Sequence, residues 1–482
     1  MDKSIARNAI FNVMYKGLSV IFPLVIVSYA SRKLGADGIG VISSAQNLVT
    51  YFTMFAALGI PSYGVRVIAQ TKKNKLECNK VFTELFLINL MSTLTCAILY
   101  FILIYNLNCQ LTYLNYVFSI LIFLNIFNVE WVFEAFEEYQ YIALRSLIIK
   151  GISLLLLFMF VKDEADLFSY SLILCFGIGG NYILNLFKLT RYVNFDFRVS
   201  SLSCYKHLKV IMLFFGSVIA IELYSLLDVT MLTYMSDSYS VGYYSNAAKI
   251  VKMFANTVTS IGAVLLPRLS FYFMEKKHVE VEKVIQNFLN VIMLLALPAC
   301  IGMILTADQI TYILFGNEFI ESASTVRILA PLIILMPLSG GIFGQILLTS
   351  GEEKKYLFCV SMGAILNIIL NTIFISLWKQ NGAAIASICT EFIVSLSMIW
   401  YSVKIIKIKI SLSDVVKILI SLIIVTFTVI IVKRFVVNGP HMLGLMIEVF
   451  CAVLSYMVSL VLLRHEFIIT ICKSLNPKRL KA

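Results

Sequence analysis

The chain has 482 residues, 60% of them hydrophobic and only 14% charged, with a mean hydropathy of +0.90. A soluble domain carries about 25% charged residues, so the composition excludes a soluble globular protein and points to a polytopic membrane protein. The net charge of +12 sits in short loops between apolar runs rather than on a basic domain, which fits positive-inside orientation and argues against a nucleic-acid partner.

The basic N-terminus "MDKSIARNAI" runs into a long apolar segment without a small-residue cleavage site, so it reads as a retained first span rather than a signal peptide. A window of about 20 apolar residues per span then predicts span 1 over 10–31, span 2 over 40–68, span 3 over 81–105, span 4 over 113–133, span 5 over 147–161 and span 6 over 168–187. After the polar connection "KLTRYVNFDFRVSSLSCYKHLK", span 7 covers 210–235 and span 8 the stretch 241–270. Spans 9 to 14 lie near 284–306, 323–348, 356–377, 383–403, 415–432 and 443–463. The expected fold is an all-α polytopic membrane protein of about 14 transmembrane helices. It divides into a six-helix lobe (1–190), a cytoplasmic connection (191–209), a second six-helix lobe (210–405), and an appended helix pair with a basic tail (406–482). With the N-terminus inside, most of the 39 Lys and Arg fall in inner loops such as "TKKNK", "MEKKHVEVEK" and "KIIKIKI", and both termini are cytoplasmic.

An internal repeat supports the two lobes. "GIGVISSAQNLVTYF" in span 2 aligns without a gap on "SVGYYSNAAKIVKMF" in span 8, pairing Gly40 with Gly242, Ser43 with Ser245, Ala45 with Ala247, Val49 with Val251 and Phe52 with Phe254. Asn47 and Thr50 then occupy the positions of Lys249 and Lys252. Pseudo-symmetric lobes of this kind are a common basis of alternating-access transporters.

Span 8 carries two lysines, and a cation near the bilayer centre costs at least about 2.5 to 3.5 kcal/mol unless it faces a bundle interior or water. At about 100° per residue Ser245, Lys249, Lys252, Asn256 and Thr259 share one face. Read functionally, this stripe lines a cavity for an anionic or sugar-like cargo; read structurally, Lys249 snorkels and Lys252 pairs with a carboxylate. Lys16 in span 1, Arg66 at the inner end of span 2 and Arg327 at the outer start of span 10 carry the same two readings, diphosphate contact or interfacial anchoring. Asp228 and Glu222 of span 7 point about 120° apart, so they are not a paired acid and base. One serves to neutralise a span 8 lysine and the other to bind a coupling proton or sodium ion, or both form structural ion pairs. Glu391 and Glu448 lie within later spans. In span 10, Pro331, Pro337 and "SGGIFG" predict a kink or hinge, and Gly340 with Gly344 also satisfies GxxxG. The ten cysteines show no metal-like spacing and read as small buried hydrophobes, Cys109 excepted, and the four histidines are scattered. No metal site and no cofactor are expected.

Several segments in order resemble one family. "LDVTMLTYMSDSYSVGYYSNAAKIVKMF…LLPRLS", "VRILAPLIILMPLSGGIFGQILLTSGEEKKY", "LNIILNTIFI…NGAAIASICTE" and "RKLGADGIGVIS…LGIPSYGVR" are similar to the polysaccharide-biosynthesis flippases of the multidrug/oligosaccharidyl-lipid/polysaccharide exporter superfamily. The likeness covers about residues 1–410. It implies two six-helix lobes around a cationic cavity. It further implies transfer of an undecaprenyl-diphosphate-linked oligosaccharide, such as an O-antigen or capsule repeat unit, from the inner to the outer leaflet of a bacterial cytoplasmic membrane. Asp228, Gly242, Tyr244, Ala247, Lys249 and Pro267 match the family positions; Lys252 and Arg66 are added from helical geometry and position. The implied partners are the lipid-linked oligosaccharide, membrane lipids and polysaccharide-assembly enzymes, around a monomeric transporter.

Rival readings differ in their charges. A cationic-drug antiporter of the same fold calls for an acid in span 1, where this chain has Lys16; a lipid II flippase shares the same chemistry and is poorly separated by pattern. A membrane glycan polymerase or acyltransferase calls for a sizeable outer loop, and the predicted outer loops are short. Without a Walker motif, ATP hydrolysis by this chain is not expected.

Overall fold

In hydrocarbon a chain satisfies its backbone groups internally only as helices or closed barrels. The computed structural model of the chain is helical, with no strand among the described residues. It describes residues 3–106, 112–196, 203–263, 266–275, 277–407, 411–436, 442–465 and 467–469. The side chains of Lys16 and Pro267, together with Cys109, His441 and the basic C-terminal tail, lie outside the described residues. Among the described residues ten helices are long and apolar enough to cross a membrane, so this is a multi-pass membrane protein. Its outward surface is apolar, as lipid requires: Ile98, Ile102, Ile365, Ile369, Ile423 and Phe427 are all exposed.

The chain clusters into two compact units, Met1–Gly242 and Tyr243–Ala482. In the first, α1 (Lys3–Ala57) is broken at Gly35, whose φ of 68° and ψ of 178° leave the helical region. That break falls between the expected spans 1 and 2. A second break follows at Leu58 and Gly59, both with positive φ, and α2 (Ile60–Thr71) restarts with Pro61 in its first turn, where a missing N–H costs nothing. Gly59 is required twice over, since its φ is 73° and a Cβ there would meet the Phe215 backbone nitrogen at 2.7 Å. Then come α3 (Lys75–Asn106), α4 (Thr112–Leu124), the short α5 (Glu130–Ala135), α6 (Tyr139–Phe160), α7 (Leu167–Leu189) and α8 (Tyr205–Met235). α1 packs on α3, α4, α6 and α8, while α2 packs on α3, α5 and α8. Phe82, Leu85, Trp131, Val132, Phe133 and Ile211 form the buried cluster beneath α2.

The helix α9 (Ser238–Ala263) begins in the last residues of the first unit and carries on into the second. The second unit continues with α10 (Leu266–Met274), α11 (His278–Phe315), α12 (Ser322–Leu329), α13 (Leu332–Met336), α14 (Gly344–Thr349), α15 (Glu353–Val403), α16 (Leu412–Val436) and α17 (Met442–Leu462). Between α13 and α14, Pro337–Phe343 form a π-helical turn, a feature common at functional positions. It sits where proline and glycine predicted a kink. α15 is interrupted at Trp378 and Lys379, the boundary expected between spans 11 and 12. α16 and α17 pack on each other and on α11 through Leu422, Val425, Val429, Tyr456 and Leu460.

Candidate functional site

The expected cationic stripe divides along α9. Its first turns are buried on nearly every side: Ser240, Val241, Gly242, Tyr244, Ser245, Asn246, Ala247 and Ala248 are all covered. Tyr244 is held there by a 3.0 Å hydroxyl contact with Ser387 Oγ. Beyond that point the helix opens. Lys249, Asn256 and Ser260 are exposed, and Lys252 and Thr259 are half-buried. At spacings of seven and four, Lys249, Asn256 and Ser260 lie along one line with Lys252 beside it. The structure thus gathers Lys249, Lys252, Asn256 and Thr259 on one face and places Ser245 out of reach, its Oγ without a hydrogen-bond partner among the described residues.

Neither lysine has a carboxylate within ion-pair distance among the described residues. An ammonium with no internal counter-ion, on a helix of this length, offers three donors to an anion from outside the chain.

The two glycines that the alignment pairs come together in the structure. A Cβ on Gly40 would meet the Ser238 carbonyl oxygen at 1.8 Å, and a Cβ on Gly242 would meet the Ala36 carbonyl oxygen at 2.1 Å. The aligned glycines thus stand against each other at a crossing that tolerates no side chain from either helix.

Asn47, aligned with Lys249, is buried and committed. Its Nδ2 donates to Thr230 Oγ1 at 2.7 Å and to the Leu226 carbonyl at 3.3 Å, and Tyr51 shares Thr230 at 2.9 Å. This network stands beside Asp228, which is 2% exposed, while Glu222 is exposed on the same helix. Arg66 is exposed on α2. Arg327 is bound by Asp308 of α11, so its charge has an internal partner. Glu391 is buried and accepts from Ser339 of the π-helical turn, and Glu448 accepts from Gln309 Nε2 at 2.6 Å.

Two buried clusters escaped the sequence reading. Arg145 of α6 is 3% exposed, ion-paired with Glu130, bonded to Asn185, and donates through Nε to Asn181 Oδ1 at 3.1 Å. The available signal was Asn181 and Asn185, one helical turn apart on α7. In the second cluster His207 of α8 joins Tyr63 of α2 at 2.8 Å through Nδ1 and Glu84 of α3 at 2.8 Å through Nε2. The Ser203 amide also donates to Glu84. Nothing in the pattern of four scattered histidines marks His207 for this role. Among the described residues no group of three or more His, Cys, Asp and Glu is placed to hold a metal ion.

With this geometry in hand, comparison with known proteins decides the family. The profile of the family described as "Polysaccharide biosynthesis protein" matches residues 5–273, more than half of the chain. The chain belongs to that family. Similarity to individual members is spread over most of the length: a protein of Escherichia coli (strain K12) named "Putative O-antigen transporter" is 23% identical over 420 residues, covering 83% of this chain and 96% of that protein. The Staphylococcus aureus "Capsular polysaccharide biosynthesis protein CapF" is 21% identical over 405 residues, covering 81% and 98%. Among solved structures, "Lipid II flippase MurJ, inward closed conformation" superposes with a TM-score of 0.77 at 15% identity over 95% of this chain and 99% of that one. An inward-facing multidrug resistance MATE family transporter gives 0.61 at 14% identity, over 80% and 94%. At these identities the structural likeness establishes the fold, which is that of the exporter superfamily expected from the sequence.

Proposed function

We propose that this chain is a flippase that carries a diphosphate-linked oligosaccharide lipid from the inner to the outer leaflet of a bacterial cytoplasmic membrane. Family membership and the O-antigen and capsule relatives support the cargo class. The observation that carries the mechanism is the open face of α9, where Lys249 and Lys252 stand beside Asn256 with no carboxylate in ion-pair reach among the described residues. A sugar-diphosphate head cannot enter hydrocarbon bare, because its charges would lose water with nothing in exchange. Lysines supply point charges to the diphosphate, and Asn256 and Ser260 supply hydrogen bonds to sugar hydroxyls. The polyprenyl tail stays in lipid throughout. Arg66, exposed on α2 of the first unit, has the paired donors that suit a diphosphate.

Alternating between inward and outward states completes the transfer, as in transporters built from repeats. In this reading Asp228, buried beside the Asn47–Thr230–Tyr51 network, is the place for a coupling proton or sodium ion, and the termini lie in the cytoplasm. Assembly enzymes of the pathway dock on the inner loops.

The test is reconstitution into liposomes with a panel of cargoes. Protein-dependent movement of undecaprenyl-diphosphate oligosaccharide, with little movement of lipid II and no export of cationic drugs, is the expected result. Movement of lipid II alone would transfer the reading to peptidoglycan precursors. Drug export without lipid movement would overturn it.

A further inference from the structure

Five cations lie on aromatic rings among the described residues, and four of them also hold a carboxylate. Arg145 has Glu130, Lys188 has Glu138 at 3.0 Å, Lys277 has Glu275 and Lys355 has Glu352 at 2.7 Å. Lys404 is the exception. Its Nζ stands 3.2 Å from the centre of the Trp400 ring and 5.9 Å from that of Tyr401, with no carboxylate in reach among the described residues. The carbonyl end of a helix is a partial counter-charge for a lysine, and Lys404 caps α15. Yet Lys188 also closes a helix, in the last turn of α7, and it still has its glutamate. Helix position therefore does not account for the missing anion at Lys404.

The same lysine lines a groove of about 840 Å³ whose other walls include Phe358, Leu396, Ile399, Trp400 and Val403. Phe358, Leu396, Trp400 and Val403 are exposed, and they face the surroundings of a membrane-spanning helix. Lys407 follows three residues later and is exposed, as is Lys354, next to the Lys355 whose Nζ lies 5.8 Å from the Tyr401 ring. An apolar trough lined also by aromatic rings and a lysine matches an amphiphile with an acyl body and an anionic head. Trp and Lys in this combination belong at the boundary between hydrocarbon and headgroups.

We infer that the groove between the first and the last turns of α15 is a site for an anionic phospholipid, with its acyl chains against Phe358, Leu396 and Val403 and its phosphate on Lys404. It is separate from the α9 face and does not depend on the cargo proposed above. Because Lys404 is exposed, neutralising it leaves the packing of α15 unchanged.

Native mass spectrometry of the whole protein tests the site, with phosphatidylglycerol and phosphatidylethanolamine of matched acyl chains titrated separately. Wild type is expected to retain phosphatidylglycerol severalfold better. In Lys404→Gln that preference is expected to fall about fivefold, the effect of one lysine at a lipid headgroup, while Lys162→Gln, the same charge change in an exposed loop of the first unit, keeps it. Equal retention of the two lipids by wild type, or equal losses in both variants, would overturn the inference. So would a Lys404→Gln protein that keeps phosphatidylglycerol but loses undecaprenyl diphosphate, since the groove would then serve the cargo lipid.

Discussion

Arg145 and Lys249 are both cations within apolar helices, and they have been settled in opposite ways. Arg145 is buried among Glu130, Asn181 and Asn185, so each part of its guanidinium meets an acceptor within the first unit. Lys249 stands on the open side of α9 with no carboxylate partner among the described residues. The first arrangement consumes its charge in holding α5, α6 and α7 together. The second leaves the charge available, which a structural ion pair does not.

The two residues are therefore expected to fail differently when neutralised. Arg145→Met is expected to cost about 3 to 5 kcal/mol of stability, because it strands a partly buried carboxylate and two amides, and urea or thermal unfolding in detergent reads this directly. Lys249→Met is expected to leave stability within about 0.5 kcal/mol of wild type. A large loss from Lys249→Met would mean that its charge is structural too. Next in size is the glycine crossing: Gly40→Ala forces a methyl group into the Ser238 carbonyl and is expected to cost about 1 to 3 kcal/mol by overpacking. Gly151→Ala, where a Cβ meets nothing within 4 Å, is the matched control and is expected to be neutral.

His207→Leu extends the comparison to a second satisfied cluster. It leaves the buried Glu84 with the Ser203 amide and without its imidazole, and the expected cost is about 1 to 3 kcal/mol. The smallest effect is at the membrane boundary. Hydrogen bonds from Tyr192 and Lys188 hold the Glu138 carboxyl below the usual glutamate range. A depressed carboxyl contributes stability above its unfolded value near pH 4.3 and loses it as pH falls through the lower folded value. Glu138 is a third exposed, so Glu138→Gln is expected to cost under about 1 kcal/mol at neutral pH and nothing in more strongly acidic buffer. An unfolding series across that range checks both.

The helical architecture was legible because hydrocarbon permits little else: long apolar runs, interrupted at Gly35 and near Trp378, predict where chain segments turn. The pairing of Gly40 with Gly242 was legible for a local reason, since glycine is needed on both sides where the two meet. Helical periodicity also placed Lys249, Lys252 and Asn256 on one face. It could not tell that Ser245, on the same face, is covered by neighbours, because burial depends on what packs against the first turns of α9. Arg145 and His207 stayed hidden for the same reason. Their partners lie 15 to 144 residues away, and no spacing rule links residues across separate helices. Arg327 shows the converse: a cation at a span end reads as free until Asp308 is seen beside it.

The most direct test is trans-bilayer movement of a diphosphate-linked oligosaccharide in proteoliposomes, comparing wild type, the Lys249→Gln, Lys252→Gln double variant and Lys162→Gln at equal insertion. The account predicts movement by wild type and Lys162→Gln, and a loss of at least tenfold in the double variant with its unfolding curve unchanged. Undiminished movement by a well-folded double variant would contradict it.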